Sequence, residues 1–421
     1  MKKPELLAPA GDMEKLKYAL TYGADAVYMG GQAFGLRAYA GNFGLEEMEK
    51  AVNLTHDLEK KLYVTVNIFA HEPDLEELPA YLKKLERLGV DGAIVSDPGI
   101  IVMAQEVAPR LPLHLSTQAN NTNSYSVRFW MKHGIERVVL ARELTLEELR
   151  AVRAKVDGGL EIFIHGAMCM SYSGRCLLSN YLTGRDANRG ECTQPCRWGY
   201  SLVEEKRPME AFPIEEDERG TYVFNSHDLC LLPHLPLLKQ IDIDSYKIEG
   251  RMKSVQYVAS TVKVYRDAID TLWDQGEEAF QAKLPLWLEE MDKVSHRDYS
   301  AGFLFGKPGA KSHNLVSSHY VRDYDFVGVR LDDGEMKSIA PDSADQNTAW
   351  IEQRNNFKLG EVLEVLTPQG ACWSFEIKEM WDKEGNPLEV ARHAQQKIRM
   401  TVPEKILPYS ILRRAKSEKK A

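Results

Sequence analysis

The sequence predicts an α/β fold: a TIM-type (β/α)8 barrel with a cysteine-rich insertion after its seventh strand, followed by a small C-terminal all-β barrel domain. Three observations predict it. Short, continuous apolar runs alternate with helical stretches through the first 250 residues or so. A glycine–acid–strand layout recurs along that region. From Tyr324 onward the pattern changes to short strands separated by turn residues.

The elements follow in order. Glu5-Leu6-Leu7-Ala8 is the first strand, ended by Pro9-Ala10-Gly11, and Asp12 is placed to cap a helix from Met13 to Tyr22. Ala26–Gly30 and Leu62–Asn67 are the second and third strands. Ala93–Ser96, Leu113–Ser116, Arg137–Leu140, Glu161–His165 and Asp244–Glu249 complete the set. Runs that are apolar throughout, rather than alternating, suit parallel strands covered on both faces. The spacing of the first seven leaves room for one helix in each gap. Gly23-Ala24-Asp25-Ala26, Gly89-Val90-Asp91-Gly92 and Gly134-Ile135-Glu136-Arg137 repeat one layout, with a glycine ending a helix and an acid in the turn before a strand. Eight such units indicate a TIM barrel, since they exceed what an open doubly wound sheet usually holds. Helices are expected from about Val255 to Trp273 and from Glu277 to Val294. In the β domain, strands are expected at Phe326–Val329, Val362–Val365, Trp373–Ile377 and Ile398–Met400. The resulting division is a barrel over 1–310, with its insertion at 166–240, a β domain over 318–408, and a basic, frayed tail over 409–421.

The chain has 421 residues, 44% of them hydrophobic, which suffices for one large core and a smaller second one. A net charge of −9 argues against a general nucleic-acid coat and allows a local basic patch. No signal peptide and no membrane span is expected, so the expected compartment is the cytoplasm, where thiols stay reduced. The six cysteines are therefore expected as ligands, catalysts or buried small residues rather than as disulfides.

Polar residues collect just after the strands: Asn67, Ser96, Gln118 with Asn120 and Asn121, Arg142, His165, Glu249 and Arg251. In a barrel these points share one face, where active sites form. His165 and Glu249 are the candidate acid–base residues, and His165 has packing as its alternative role. The seventh loop is abnormal, because about 80 residues separate strands seven and eight and hold five of the six cysteines. Cys169, Cys176, Cys192 and Cys196 lie close together in sequence, and four thiolates can ligate a zinc ion or a four-iron cluster. A 4Fe-4S cluster is the favoured occupant. Zinc, or no metal after an aerobic preparation, is the alternative. Cys230 is expected on the apolar face of a helix capped by Ser226, as core before fourth ligand, and Cys372 as a buried small residue.

Glu161, Phe163, Gly166, Ala167, Met168, Cys169, Gly174, Cys176 and Ser179 resemble the signature of the collagenase-like peptidase family U-32. Glu5–Gly11, Gly23–Tyr28, Ser96–Gly99, Ser116–Ala119 and Lys247–Arg251 are also similar to that family, so the resemblance covers nearly the whole chain. Gly190–Trp198 and the β domain look most like its tRNA-hydroxylating branch. That resemblance implies synthesis of 5-hydroxyuridine at the tRNA wobble position, with an iron–sulfur cluster and prephenate involved. Prephenate carries two carboxylates, for which Arg37, Arg142, Arg175, Arg197 and Arg251 are candidate partners, with Asn67 and Gln118 as further substrate contacts. Arg185, Arg189, Arg197 and the basic tail are candidate phosphate contacts for the anticodon region of tRNA. Two other functions stay open. A peptidase would use a cysteine–histidine pair, although there is no His-Glu-x-x-His and no Gly-x-Ser-x-Gly, and one nucleophile would leave three nearby cysteines unexplained. A metal-binding RNA scaffold or redox sensor would need no catalysis.

Overall fold

The computed structural model describes residues 2–32, 34, 42–168, 178–185, 192–193, 195, 203–204, 207–211, 216–217, 220–221, 227–306, 321–332, 334 and 347–416. Eight parallel strands close a barrel: β1 (Glu5–Pro9), β2 (Ala26–Gly30), β3 (Lys61–Val66), β4 (Gly92–Val95), β5 (Leu113–Leu115), β6 (Arg137–Val139), β7 (Gly159–Ala167) and β13 (Ser245–Ile248). Each pairs with the next, and β13 pairs with both β7 and β1. All four residues of β4 and of β13 are buried, as expected of strands covered on both sides. Helices α1 (Met13–Thr21), α2 (Leu45–Asp57), α3 (Leu78–Leu88), α4 (Pro98–Val107), α5 (Ser124–Lys132) and α6 (Leu146–Arg153) lie between the strands.

Local chemistry sets the boundaries. Asp12 caps α1 by accepting from Lys15 N at 2.8 Å, and Thr145 with Glu148 forms a capping box on α6. The recurring glycines, Gly23, Gly89 and Gly134, all have positive φ and end their helices as expected. Two of the recurring acids, Asp25 and Asp91, also have a task, which Asp244 before β13 shares. Asp25 accepts from Leu6 N, Asp91 from Leu62 N and Asp244 from Leu160 N, each at 2.8–2.9 Å. Each of these three aspartates therefore closes a backbone donor at the start of the preceding barrel strand, and together they pin the bottom of the barrel.

After β7 come α7 (Leu178–Thr183) and four short strands, β8 (Val203–Glu204), β9 (Arg207–Ala211), β10 (Glu216–Asp217) and β11 (Gly220–Thr221). The chain returns as β12 (Asp228–Cys230), which runs antiparallel to the end of β7, with Asp228 opposite Ala167. Cys230 is thus on a strand and not on the expected helix, because the exposed end of β7 supplies pairing partners that no local pattern reveals. Its thiol is buried in the core, as expected, and burial pushes its pKa up to about 11. Helix α8 (Leu235–Lys239) leads to β13, then α9 (Val255–Asp274), α10 (Glu277–Asp292) and β14 (Tyr299–Ser300), which pairs with β12.

The C-terminal domain is antiparallel and all-β. Its sheet runs β19 (Trp373–Glu376), β18 (Val362–Leu366), β23 (Ile411–Ala415), β15 (Tyr324–Arg330), β16 (Thr348–Gln353), β22 (Lys397–Thr401) and β20 (Met380–Trp381). A separate pair joins β17 (Phe357–Lys358) to β21 (Val390–Ala391). Among the described residues the end strands β19 and β20 do not pair, so the sheet is not seen to close into the expected barrel. The tail expected from 409 is corrected more strongly. Ile411–Ala415 is a central strand, paired on both sides, and Arg413 is fully buried. Val329, Leu366 and Ile411 join the barrel's own core cluster, and Tyr22 Oη of α1 donates to Leu366 O and Tyr409 O. Among the described residues no helix is long and apolar enough to cross a membrane.

Candidate functional site

The barrel lumen is lined by charge as well as by the apolar cluster Leu7, Ala26, Tyr28, Tyr63 and Ile94. Glu161 accepts from Lys247 Nζ at 2.8 Å and pairs with Arg137 at 3.3 Å. Arg137 also pairs with Glu5, which accepts from Tyr63 Oη and Ser245 Oγ. Four strands, β1, β6, β7 and β13, contribute one charge each, and two acids face two bases. Such a set is tolerable out of water only because its members satisfy one another. The sequence reading missed this group as a site. Glu161 and Lys247 were legible in motifs, but the alternation that points them inward is hidden in runs that are otherwise apolar.

At the C-terminal mouth, Arg251 is buried and donates to Thr65 Oγ1 at 3.2 Å and to Asn42 Oδ1 at 2.8 Å. Gly30 makes the room, since a Cβ there would lie 2.1 Å from the guanidinium. Arg142 is half-buried. It donates to Ala167 O at 2.8 Å and lies over the Phe163 ring, clamping the point where the chain leaves β7. Glu249 accepts from Tyr28 Oη at 3.3 Å. Asn67 and Gln118 are brought together, with Asn67 Nδ2 donating to Gln118 Oε1 at 2.8 Å. Ser96 and Ser116 donate to the same oxygen. Asn121, 1% exposed, has no hydrogen-bond partner among the described residues for either side-chain polar atom.

His165 is not part of this mouth. The register slips by one residue opposite the Lys247–Ile248 step, so that Phe163 pairs with Lys247 but His165 with Ile248. The slip turns the imidazole out of the lumen and against Tyr257 and Tyr265 of α9 and against Tyr299. It is 1% exposed, and burial lowers its pKa to about 3. A neutral ring enclosed by three tyrosines packs the helix layer, which replaces the acid–base role expected for it.

The cysteine-rich insertion leaves the barrel at Ala167 and returns beside it at Asp228, whose carboxylate accepts from Arg297 Nη2 at 2.9 Å. Of the four candidate ligands, Cys192 is described and exposed; Cys169, Cys176 and Cys196 lie outside the described residues, as do Arg37, Arg175, Arg189 and Arg197. The two cysteine-bearing arms are nevertheless tied. Ser179, three residues after Cys176, accepts from Thr193 N at 3.1 Å, and its hydroxyl lies 3.1 Å from Thr193 Oγ1, next to Cys192. Four thiolates are a donor set that suits a four-iron cluster, and the bridge ties the segment that follows Cys176 to the one that holds Cys192. Cys230 is buried in the core beside Tyr265 Oη, and burial pushes its thiol up to about 11. Arg185 is described and half-buried. The tail arginines expected to contact phosphate are engaged elsewhere: Arg413 with Glu290 and Glu364, and Arg414 with Glu361 and Asp325.

Comparison with known proteins places these features in a family. The family described as Peptidase family U32 matches residues 11–314, and the Peptidase family U32 C-terminal domain matches residues 322–413. The chain is 43% identical to tRNA hydroxylation protein P1 of Bacillus subtilis, over 99% of this chain and 96% of that protein. It is 38% identical to tRNA hydroxylation protein P of Escherichia coli, over 98% and 97%. It is 33% identical to the 23S rRNA 5-hydroxycytidine C2501 synthase of Escherichia coli, over 81% of this chain and 50% of that one. With matches along both domains and relatives this similar over nearly their full length, the chain belongs to peptidase family U32.

Proposed function

We propose that this protein is an RNA-modifying enzyme that hydroxylates a pyrimidine, converting the wobble uridine of tRNA to 5-hydroxyuridine. The names of its relatives support the reaction class. The observation that carries the reading is the Ser179–Thr193 bridge, which ties the segment after Cys176 to the residue next to Cys192 within the insertion that follows β7. Replacing C5–H by C5–OH takes one oxygen atom into the base and two electrons out of it. Both an oxygen source and an electron acceptor are therefore required. A 4Fe-4S cluster on Cys169, Cys176, Cys192 and Cys196 supplies one-electron chemistry when bound. Prephenate or a related dicarboxylate is the linked small substrate, with Arg142 and Arg251 as the described candidates to hold its carboxylates. Proteolysis gains no support from His165, whose burial and low pKa leave no accessible base.

The test is chemical analysis of protein purified without oxygen. About four iron and four acid-labile sulfide per chain are expected, lost in Cys169→Ala or Cys192→Ala. In a deletion strain, the wild-type gene is expected to restore 5-hydroxyuridine in tRNA and the cysteine variants are not. Zinc alone, no metal, or restoration by the cysteine variants would overturn the reading.

A further inference from the structure

The amides at the mouth are arranged unlike the arginines. Gln118 Oε1 accepts from Asn67 Nδ2 at 2.8 Å, Ser96 Oγ at 3.1 Å and Ser116 Oγ at 3.4 Å. Three donors on one oxygen fix the plane of the amide and leave its Nε2, which donates to none of the described residues, on the other side. Asn67 is fixed by its own donation, and its Oδ1 is buried without a partner among the described residues. A buried acceptor left in that state is destabilising, and a ligand that donates to it recovers the loss. The pair therefore holds one acceptor and one donor that no described residue engages, on side chains joined by a hydrogen bond. Exchanging oxygen and nitrogen in both amides leaves the same complement.

We infer that Asn67 and Gln118 read the Watson–Crick edge of a uracil, Asn67 Oδ1 accepting from N3–H and Gln118 Nε2 donating to O4. This rests on the RNA-hydroxylase reading above and adds the base contact to it. Three features select a base over the dicarboxylate. The pair is neutral, so it offers a carboxylate no charge. One acceptor and one donor match the imide edge, whereas a carboxylate only accepts. Asn67, Ser96 and Ser116 follow β3, β4 and β5, and in the closed order of eight strands β4 lies opposite β13 and next-but-one to neither β7 nor β13. The base is thus gripped on the wall across from the insertion. Holding N3 and O4 leaves C5 and C6 clear of that wall. The mouth divides accordingly, with amides on the β3–β5 side for the base and arginines following β6 and β13 for anions.

The experiment uses the full-length protein and an anticodon stem-loop RNA carrying uridine, 3-methyluridine or no base at the target position. Methylation at N3 removes the donor without touching the protein. Binding is read by fluorescence titration, and C5 hydroxylation separately by nucleoside mass spectrometry. We expect 3-methyluridine RNA to bind at least tenfold more weakly than uridine RNA, approaching the abasic RNA. In Asn67→Leu and Gln118→Met the uridine RNA weakens and the methyl penalty shrinks towards onefold. Equal binding of the two RNAs, or a methyl penalty undiminished in both variants, would overturn the inference even if the protein hydroxylates uridine. Conversely, edge-dependent binding without any 5-hydroxyuridine leaves the base contact standing and sinks the hydroxylase reading.

Discussion

Two buried clusters in this molecule have the same formal composition and opposite architectural roles. In the lumen, Glu5, Arg137, Glu161 and Lys247 come from four neighbouring strands of one barrel. At the domain boundary, Glu290 and Lys293 flank the end of α10, while Glu364 and Arg413 come from strands β18 and β23 of the β domain. Each has two acids and two bases. The lumen cluster ties together strands that backbone hydrogen bonds already join, so it adds to a closure that exists without it. The boundary cluster spans units with no shared sheet, so its charges carry a larger share of the join. Both clusters are largely withdrawn from water, with the Glu161 side chain 1% exposed in the lumen. The Arg413 side chain is 0% exposed, so every charge facing it counts at low dielectric.

The largest effect is therefore expected at Arg413. Arg413→Met leaves Glu290 and Glu364 with Lys293 alone, at 3.9 and 3.2 Å, and breaking a buried ion cluster by removing one partner costs about 3–5 kcal/mol. The midpoint of chemical denaturation should fall accordingly, and the β domain should become susceptible to limited proteolysis before the barrel. A midpoint within about 0.5 kcal/mol of wild type would mean the apolar contacts alone join the domains.

Lys247→Met is expected to cost less, about 2–3 kcal/mol, the range for losing a charged hydrogen bond. Glu161 keeps Arg137 at 3.3 Å as a second partner. Adding Glu161→Gln should then recover part of the loss, because no unpaired acid remains. Simply additive losses in the double variant would show that the two residues do not act as a pair.

The same comparison explains what could be read from the sequence. Continuous apolar runs and the glycine–acid repeat made the barrel legible, and the strand boundaries fall within a residue or two of the reading for all eight strands. The boundary cluster was illegible. Arg413 sits in a basic string that resembles a solvated tail, and its acids lie 49 and 123 positions away. No local window contains that compensation. β12 was missed for a related reason, since three residues form a strand only because β7 overhangs its neighbours. At the mouth, Asn67, Gln118, Arg142 and Arg251 were legible because barrel topology sends every post-strand residue to one face. His165 obeyed that rule in sequence and broke it in space, through a one-residue slip that leaves no trace in composition.

The slip supplies the smallest of these effects and the one most specific to His165. Both His165 and His114 are buried, and burial lowers each from its ordinary 6.5 to about 3. In the unfolded chain both take up protons near pH 6.5, while in the folded protein neither does until about pH 3. The unfolded state thus binds more protons throughout that window, so stability is fully present above pH 6.5 and declines as the pH falls. Each histidine contributes up to about 1.4 kcal/mol per pH unit. His165→Phe should keep the shape of the pocket, because Tyr265 Oη retains its bond to Ile164 O at 2.9 Å. At pH 7.5 the variant should lie within about 1 kcal/mol of wild type. Between pH 7 and 5 its stability should fall less steeply, by one histidine's share, while hydroxylation persists because the ring does not reach the lumen. An unchanged slope would mean that His165 is protonated in the folded state. Lost hydroxylation in a stable variant would return the histidine to the mouth of the barrel.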